Sequence, residues 1–181
     1  MSASNRVYRA KTARGGSAKR SPGSRRPPGN VISPAQLPNP LDQPVSSCRY
    51  VRRIQFYETD LAGVVHFSWY LRYMEEAEHA LWREAGLSIV PKDHAIGFPR
   101  VAAAIEYKAP LHFEDVVEVW IRITAITRRS ITYASKITCG DGEVTIATGT
   151  FTAVCVDKTV RPLKSVDIPA DIRTRLAIAK A

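Results

Sequence analysis

The residues best suited to chemistry lie together in one polar segment, residues 57–68, which contains Asp60, Gly63, His66 and Ser68. An apolar-periodic stretch follows and predicts a helix that begins just after Ser68. The first amides of a helix lack intrahelical acceptors, so a carbonyl oxygen aimed at the Phe67 or Ser68 amide would be polarised. Asp60 could then attack that carbonyl carbon, or deprotonate a water that does. The segment therefore indicates acyl transfer to water without a serine or cysteine nucleophile.

Other chemistries find little support in the composition. Cys48, Cys139 and Cys155 are odd in number and show no CxxC spacing, which predicts neither a disulfide framework nor a zinc site. The histidines outside the polar segment show no metal-ligand spacing, so we expect no metal; they are His79, His94 and His112. Apolar runs extend over only a few residues, so no membrane span is expected.

Charge and proline are concentrated at the start of the chain. Of the 26 basic and 17 acidic residues in the 181-residue sequence, nine basic residues and one acidic residue fall in residues 1–49, together with seven of the twelve prolines. This composition predicts a flexible basic arm over residues 1–49, a nearly neutral folded domain over residues 50–165, and a tail over residues 166–181 with a short helix. We expect a cytoplasmic protein, with an organellar transit peptide as the alternative interpretation of the arm.

Hydrophobic periodicity predicts one strand and one long helix before the rest of the sheet. Residues 50–57 alternate like a strand, with Ile54 and Phe56 on one side, and a loop over residues 58–63 follows. Ser68 is the predicted N-cap and Gly86 the predicted end of a helix of about 17 residues. Its predicted apolar face consists of Tyr70, Tyr73, Met74, Ala77, Leu81 and Ala85.

Period-two alternation dominates after Gly86. It predicts strands over residues 98–107, 116–126, 131–137 and 144–156, with a turn at residues 127–130 and a hairpin at Asp141-Gly142. Four consecutive strands with short turns favour an antiparallel sheet packed against the helix, so the predicted fold class is α+β.

At the polar segment the chain resembles the 4-hydroxybenzoyl-CoA thioesterase-like branch of the hotdog-fold thioesterases. The resemblance covers about residues 50–165, and its most specific part is residues 56–70, FYETDLAGVVHFSWY. Residues 107–110, YKAP, with Asp115 before a strand, also match the family. The resemblance implies a curved five-stranded antiparallel sheet wrapped around the long helix. It also implies an acyl-CoA substrate, hydrolysis without a cofactor, and homodimers or homotetramers with active sites at subunit interfaces.

The resemblance also implies roles for individual residues. The family's catalytic carboxylate falls on Asp60 and its helix-end amide on Phe67, while His66 is expected to orient the carboxylate or the thioester. Tyr57, Gly63, Ser68 and Trp69 are the expected substrate contacts in the same segment. Trp69 stands where relatives often carry a small amide residue, which would reshape the acyl pocket.

Basic and acidic residues elsewhere give further candidates. Arg128 and Arg129 lie at a turn and could bind the phosphates of coenzyme A through bidentate hydrogen bonds, with Lys108 as a weaker candidate. Another hotdog branch carries its catalytic carboxylate on the central helix, which makes Glu75 the reserve candidate. The helix carboxylates as a group are expected to form a solvated or interfacial face; they are Glu75, Glu76 and Glu78.

Two other functions remain compatible with the sequence. A hotdog hydratase or dehydratase would act on the acyl chain and leave the thioester intact. A non-catalytic acyl-binding module could instead be tethered by its basic arm to nucleic acid or an anionic surface, although nucleic acid is not the expected partner.

Overall fold

The computed structural model describes residues 43–90, 95–140 and 142–180. Most of the predicted basic arm, residues 1–42, lies outside the described residues. The first strand, β1, spans Ser47–Arg53 and therefore begins inside the predicted arm. Cys48 on this strand is buried, and the Val45 amide donates to the Arg175 carbonyl at 2.9 Å. Strand β1 thus starts three residues before the predicted boundary at residue 50, where short polar side chains give the sequence the composition of a linker.

Two helices and seven more strands follow β1. The helices are α1 (Trp69–Glu84) and α2 (Ala170–Arg175). The longer strands are β3 (Arg100–Tyr107), β4 (Val116–Ile126), β5 (Ser130–Cys139) and β6 (Val144–Val154); the two-residue strands are β2 (Ile96–Gly97), β7 (Val156–Asp157) and β8 (Lys164–Ser165). The main sheet has the order β1-β4-β5-β6-β3 with antiparallel neighbours throughout, and β2, β7 and β8 form a small second sheet.

The register of the main sheet follows the predicted alternation. Val119 pairs with Tyr50 on β1 and with Ile137 on β5, so each row of partners presents side chains to the same face. The predicted inner face of β4 is fully buried; its members are Val117, Val119, Ile121 and Ile123. Trp120, between them in sequence, lies on the opposite face. At the turn between β5 and β6, Gly140 and Gly142 have positive φ angles, while Asp141 lies outside the described residues.

Helix α1 packs against the inner face of the sheet with its predicted apolar side, and all six predicted positions are buried. Its end is confirmed near Gly86, which has φ +66° and donates to the Arg83 carbonyl at 3.0 Å, while the Leu87 amide donates to Trp82 at 2.8 Å. The helix approaches β6 closely at Gly149, where a Cβ atom would lie 2.9 Å from the Ala104 carbonyl oxygen and 3.0 Å from the Met74 side chain.

The predicted fold class, α+β, is confirmed: a five-stranded antiparallel sheet packs against one long helix, as the resemblance to the hotdog fold implies. The strand prediction fails at Phe56, which lies in a 3₁₀ turn over Phe56–Glu58 and is 75% exposed. Strand β1 ends at Arg53, and the Glu58 carboxylate closes the following turn by accepting a hydrogen bond from the Gln55 amide at 2.7 Å.

The C-terminal segment contributes to the core. The predicted helix near residue 170 is confirmed as α2, and Ile168, Ile172 and Leu176 are buried in the same cluster as the inner face of β4. The folded unit therefore extends beyond residue 165, because these apolar residues cover one end of the sheet. Within the described ranges, no helix is long and apolar enough to cross a membrane.

Candidate functional site

The loop that carries Asp60 is a tight hairpin between the 3₁₀ turn and α1. Thr59 and Val65 form an antiparallel bridge, the Asp60 amide donates to the Val64 carbonyl at 2.9 Å, and the Gly63 amide donates to the Asp60 carbonyl at 2.9 Å. Gly63 has φ +76°, a conformation that other residues adopt at a steric cost. Gly63 therefore serves the shape of the loop, and it is not among the residues that line the cavity described below.

The Asp60 carboxylate is exposed at this hairpin. Its Oδ1 atom accepts a hydrogen bond from the Ala62 amide at 2.8 Å, the side-chain-to-backbone turn that aspartate commonly forms in loops. In the part of the chain that the structure describes, Oδ2 accepts no hydrogen bond. One carboxylate oxygen thus fixes the side chain while the other is available to a reactant.

The Phe67 amide is the best placed donor at the start of α1. The amides on either side of it are engaged: the His66 amide donates to the Glu58 carbonyl at 2.9 Å, and the Ser68 amide makes a 3.4 Å contact with His66 Nδ1. No acceptor for the Phe67 amide occurs among residues 43–90, 95–140 and 142–180. Of the two donors that the sequence leaves open, the geometry therefore favours Phe67 over Ser68.

Asp60 and Phe67 line the same cavity, of about 440 Å³, with Lys108 from the end of β3. The other lining residues are Val64, Val65, Tyr70, Tyr107, Ala109 and Pro110. Lys108 Nζ lies 2.6 Å from a carboxylate oxygen of Glu106, an exposed residue that does not line this cavity. The structure thus brings Asp60 and a residue whose amide has no acceptor among the described residues to one open cavity, an arrangement suited to an acyl carbonyl.

The remaining predicted residues of this segment lie beside the cavity and do not line it. His66 Nδ1 lies 2.9 Å from the Ser68 hydroxyl, which does not cap α1 as predicted because it is engaged with the imidazole. The Tyr57 and Trp69 rings meet edge to face at a centroid distance of 5.5 Å. Tyr57 and Trp69 thus form an aromatic pair next to the hairpin.

Arg128 and Arg129 lie at the far end of the sheet. Both guanidinium groups share Asp167, at 3.3 Å and 3.1 Å, and Arg129 also donates to the Ser165 hydroxyl at 3.2 Å. Strand β4 begins beside the Asp60 hairpin and ends just before this turn, and eleven strand residues span about 35 Å. Within one protomer these arginines are therefore remote from Asp60.

Sequence reasoning gave no role to the charged group beneath the hairpin. The Glu58 side chain is 1% exposed and pairs with Arg52 of β1, whose Nη1 also binds both carboxylate oxygens of Glu76 on α1, at 2.8 and 3.0 Å. The Arg52 guanidinium lies 4.2 Å from the Tyr73 ring centroid. Burial opposes the positive charge, yet Glu76 and Glu58 together raise the pKa of Arg52 above its ordinary value. Arg52 falls on the same side of the predicted strand as Ile54, and Glu58 falls in the predicted loop, so the alternation gave no signal of this group.

One prediction about the helix side chains needs correction. Glu78, expected on a solvated or interfacial face, is fully buried and pairs with Arg100, because it lies one turn after Met74 on the side that faces the sheet. Tyr70 is buried as predicted, and it also lines the Asp60 cavity. Glu75 is half-buried at a second hollow of about 370 Å³, together with Ser68, Arg72 and Arg100.

Two of the cysteines are poorly suited to act as nucleophiles. Burial, together with the neighbouring Glu84 carboxylate, raises the pKa of Cys48 to about 12, and burial also raises the pKa of Cys155. Both therefore remain thiols near neutral pH. Among the described residues, no group of three or more His, Cys, Asp or Glu could hold a metal ion.

Comparison with known proteins identifies the family. Residues 54–176 match the sequence model of the Thioesterase-like superfamily. The chain belongs to this superfamily. Its relatives include the acyl-CoA thioester hydrolase YbgC of Escherichia coli, which is 27% identical over 121 residues, 64% of this chain and 84% of that protein.

Solved structures of similar proteins agree with this membership. A hypothetical protein from Aquifex aeolicus is 32% identical with a TM-score of 0.64, over 71% of this chain and 98% of that one. A 4-hydroxybenzoyl CoA thioesterase shares the fold at a TM-score of 0.66 and 20% identity, over 73% of this chain and 99% of that one. The family resemblance indicated by residues 56–70 is confirmed.

The charged group beneath the hairpin yields a stability prediction for this Thioesterase-like protein. Glu58→Gln should lower the free energy of unfolding by about 3 kcal/mol, because it removes one partner of a buried ion pair. Glu76→Gln is the matched control, since Glu76 binds the same arginine but its side chain is 39% exposed; its loss should stay below about 1 kcal/mol. Urea unfolding followed by tryptophan fluorescence measures both values. Equal losses of unfolding free energy in the two variants would contradict the larger contribution to stability expected of the buried Glu58.

Proposed function

We propose that this protein hydrolyses the thioester bond of an acyl-CoA to a free acid and coenzyme A. One observation carries the proposal: the Asp60 carboxylate and the Phe67 residue, whose amide has no acceptor among the described residues, line one cavity at the start of α1. A relative of this chain, YbgC, is named as an acyl-CoA thioester hydrolase, which supports the same reaction here.

The arrangement accounts for both halves of the reaction. The thioester carbonyl oxygen accepts a hydrogen bond from the Phe67 amide. This bond polarises the carbonyl and stabilises the oxyanion that forms on attack. Asp60 either takes a proton from the attacking water or attacks the carbonyl carbon itself to form an anhydride that water then opens. The carbon–sulfur bond breaks with its electron pair on sulfur, and the thiolate takes up a proton. Water is the second reactant, so the reaction needs no cofactor.

The active form we propose is a homodimer joined through β3. This strand is an edge of the main sheet, and the hydrogen bond from the Lys108 amide to the Ile146 carbonyl fixes which main-chain groups face β6. By the alternation of an antiparallel ladder, the main-chain groups of Ala103, Ile105 and Tyr107 face the open edge. A second copy of β3 can pair there, with a two-fold axis between the strands.

Such a dimer would bring distant cations to the Asp60 cavity. The Cys155 amide, just past the end of β6, donates to the Arg129 carbonyl at 2.7 Å, so Arg128 and Arg129 lie near the beginning of β3. Asp60 lies near the end of β3. Antiparallel pairing places the end of one β3 beside the beginning of the other, so these arginines of a second copy would lie on the side of the Asp60 cavity. There they would bind the phosphates of coenzyme A.

The proposed role of Asp60 predicts a large kinetic effect. Asp60→Asn should lower thiol release from a saturated acyl-CoA by at least about a hundredfold, because the amide is neither a base nor a nucleophile. Asp157→Asn is the matched control, since the Asp157 carboxylate accepts a hydrogen bond from the Thr159 amide at 2.7 Å in a similar turn and Asp157 does not line the Asp60 cavity. It should retain wild-type turnover. Near-wild-type thiol release from Asp60→Asn would refute the assignment, and no thiol release from the wild type would favour a hydratase.

The proposed dimer can be tested at the edge strand. Ala103→Arg should dissociate it, because a long charged side chain would project beside the pairing edge, and hydrolysis should fall with dissociation. Ala102→Arg is the control on the same strand, since residue 102 directs its side chain to the other face of the sheet and its main chain towards β6. Light scattering coupled to size-exclusion chromatography measures the mass. A monomeric wild type, or an Ala103→Arg variant that stays dimeric, would contradict the proposal.

The phosphate role predicts a substrate-dependent effect. Replacing both Arg128 and Arg129 with alanine should raise KM for acyl-CoA about tenfold, the scale of one or two charged hydrogen bonds, and leave KM for the phosphate-free acyl-pantetheine unchanged. The control replaces Arg122 and Lys136 with alanine; both lie on the outer face of the sheet, and the charge change is the same. Equal changes in KM for both substrates would contradict a phosphate contact.

A further inference from the structure

One hydrogen bond connects β3 with the residues that begin α1. The Tyr107 hydroxyl donates to the Phe67 carbonyl at 3.1 Å, although the two residues are 40 positions apart in the chain. Both residues line the cavity that contains Asp60. The Phe67 side chain is 63% exposed, so side-chain packing alone does not hold this residue in place.

The position of this hydrogen bond bears directly on the Phe67 amide. The His66 carbonyl accepts a hydrogen bond from the Trp69 amide at 3.0 Å and therefore points towards α1. The Phe67 N–H group belongs to the same trans peptide and points the opposite way, so it is directed away from α1. The Phe67 carbonyl belongs to the next peptide plane, which Tyr107 holds. Because only φ and ψ of Phe67 separate the two planes, tying both of them limits the direction of the Phe67 N–H group.

The Tyr107 ring is itself held in place. It meets the Tyr70 ring edge to face at a centroid distance of 5.1 Å, and Tyr70 is buried in the first turn of α1. Burial also raises the pKa of Tyr70, which keeps its hydroxyl neutral. The Tyr107 ring therefore packs against α1, while its hydroxyl binds the Phe67 carbonyl just before the helix. These two contacts couple the end of β3 to the start of α1.

We propose that Tyr107 is a positioning residue for the oxyanion donor: its hydroxyl holds the Phe67 peptide so that the Phe67 amide faces the thioester carbonyl. This inference rests on the proposed thioester hydrolysis and adds a residue to it. Tyr107 acts through Phe67, so its loss weakens stabilisation of the transition state more than it weakens substrate binding.

Tyr107→Phe in the full chain removes the hydroxyl and keeps the ring against Tyr70. We expect kcat for acyl-CoA hydrolysis to fall about 3- to 10-fold, the scale of one neutral hydrogen bond, with KM changed less than about twofold. Thr152→Val is the control, since it removes one hydroxyl contact of 3.0 Å, with Thr132, on the outer face of the sheet. It should leave both kcat and KM unchanged.

A spectroscopic measurement separates positioning from a general loss of structure. An acyl-CoA labelled with ¹³C at the thioester carbonyl, bound to Asp60→Asn, reports the polarisation of that carbonyl through its infrared stretching frequency. Adding Tyr107→Phe in this background should move the band back towards its frequency in solution. If Asp60→Asn is inactive while Tyr107→Phe keeps wild-type kcat and leaves the band unmoved, the Tyr107 proposal is wrong and the proposed function stands. If Asp60→Asn itself hydrolyses the substrate at the wild-type rate, the proposed function fails.

Discussion

A buried carboxylate, Glu58, holds the hairpin that carries Asp60. Its side chain closes the 3₁₀ turn through the Gln55 amide and pairs with Arg52 on β1, while its carbonyl accepts the His66 amide from the other end of the hairpin. Arg52 extends the group to α1 through Glu76. A carboxylate with little solvent exposure is costly to leave unpaired, so the strand, the hairpin and the helix are coupled through one charged group. The orientation of the site depends on this group because the hairpin itself is exposed.

The same coupling explains why the start of α1 can present an amide to a ligand. A helix N-terminus has unsatisfied donors wherever it occurs, but such donors normally face water or a capping side chain. Here Ser68 does not cap the helix, since its hydroxyl lies against His66. The hairpin and Tyr107 fix the preceding peptides instead. The Phe67 amide is consequently left without a protein acceptor among the described residues while its direction is constrained, the condition under which a donor can stabilise developing charge without reorganising.

The single protomer presents half of the chemistry we propose. Asp60 and the Phe67 amide lie at one end of the sheet, and the paired arginines Arg128 and Arg129 lie at the other, about 35 Å away along β4. An edge strand with exposed main-chain groups runs between the two ends. In the proposed dimer, two-fold symmetry would bring the two ends together, because it would reverse the strand direction across the new pair. The length of the sheet and the position of its open edge thus favour a site shared between copies.

The sequence by itself determined the features that depend on neighbours along the chain. Period-two alternation placed the inner face of β4, the three-and-four spacing placed the buried face of α1, and Asp60 with Phe67 could be selected because hairpin and helix start are contiguous. Only the tertiary structure decided the contacts between distant segments: Tyr107 with Phe67, Arg52 with Glu58 and Glu76, and Arg100 with the buried Glu78. Periodicity reports which face of an element is buried. It does not report which buried polar side chains meet, because that depends on strand order and on the close approach of α1 to the sheet.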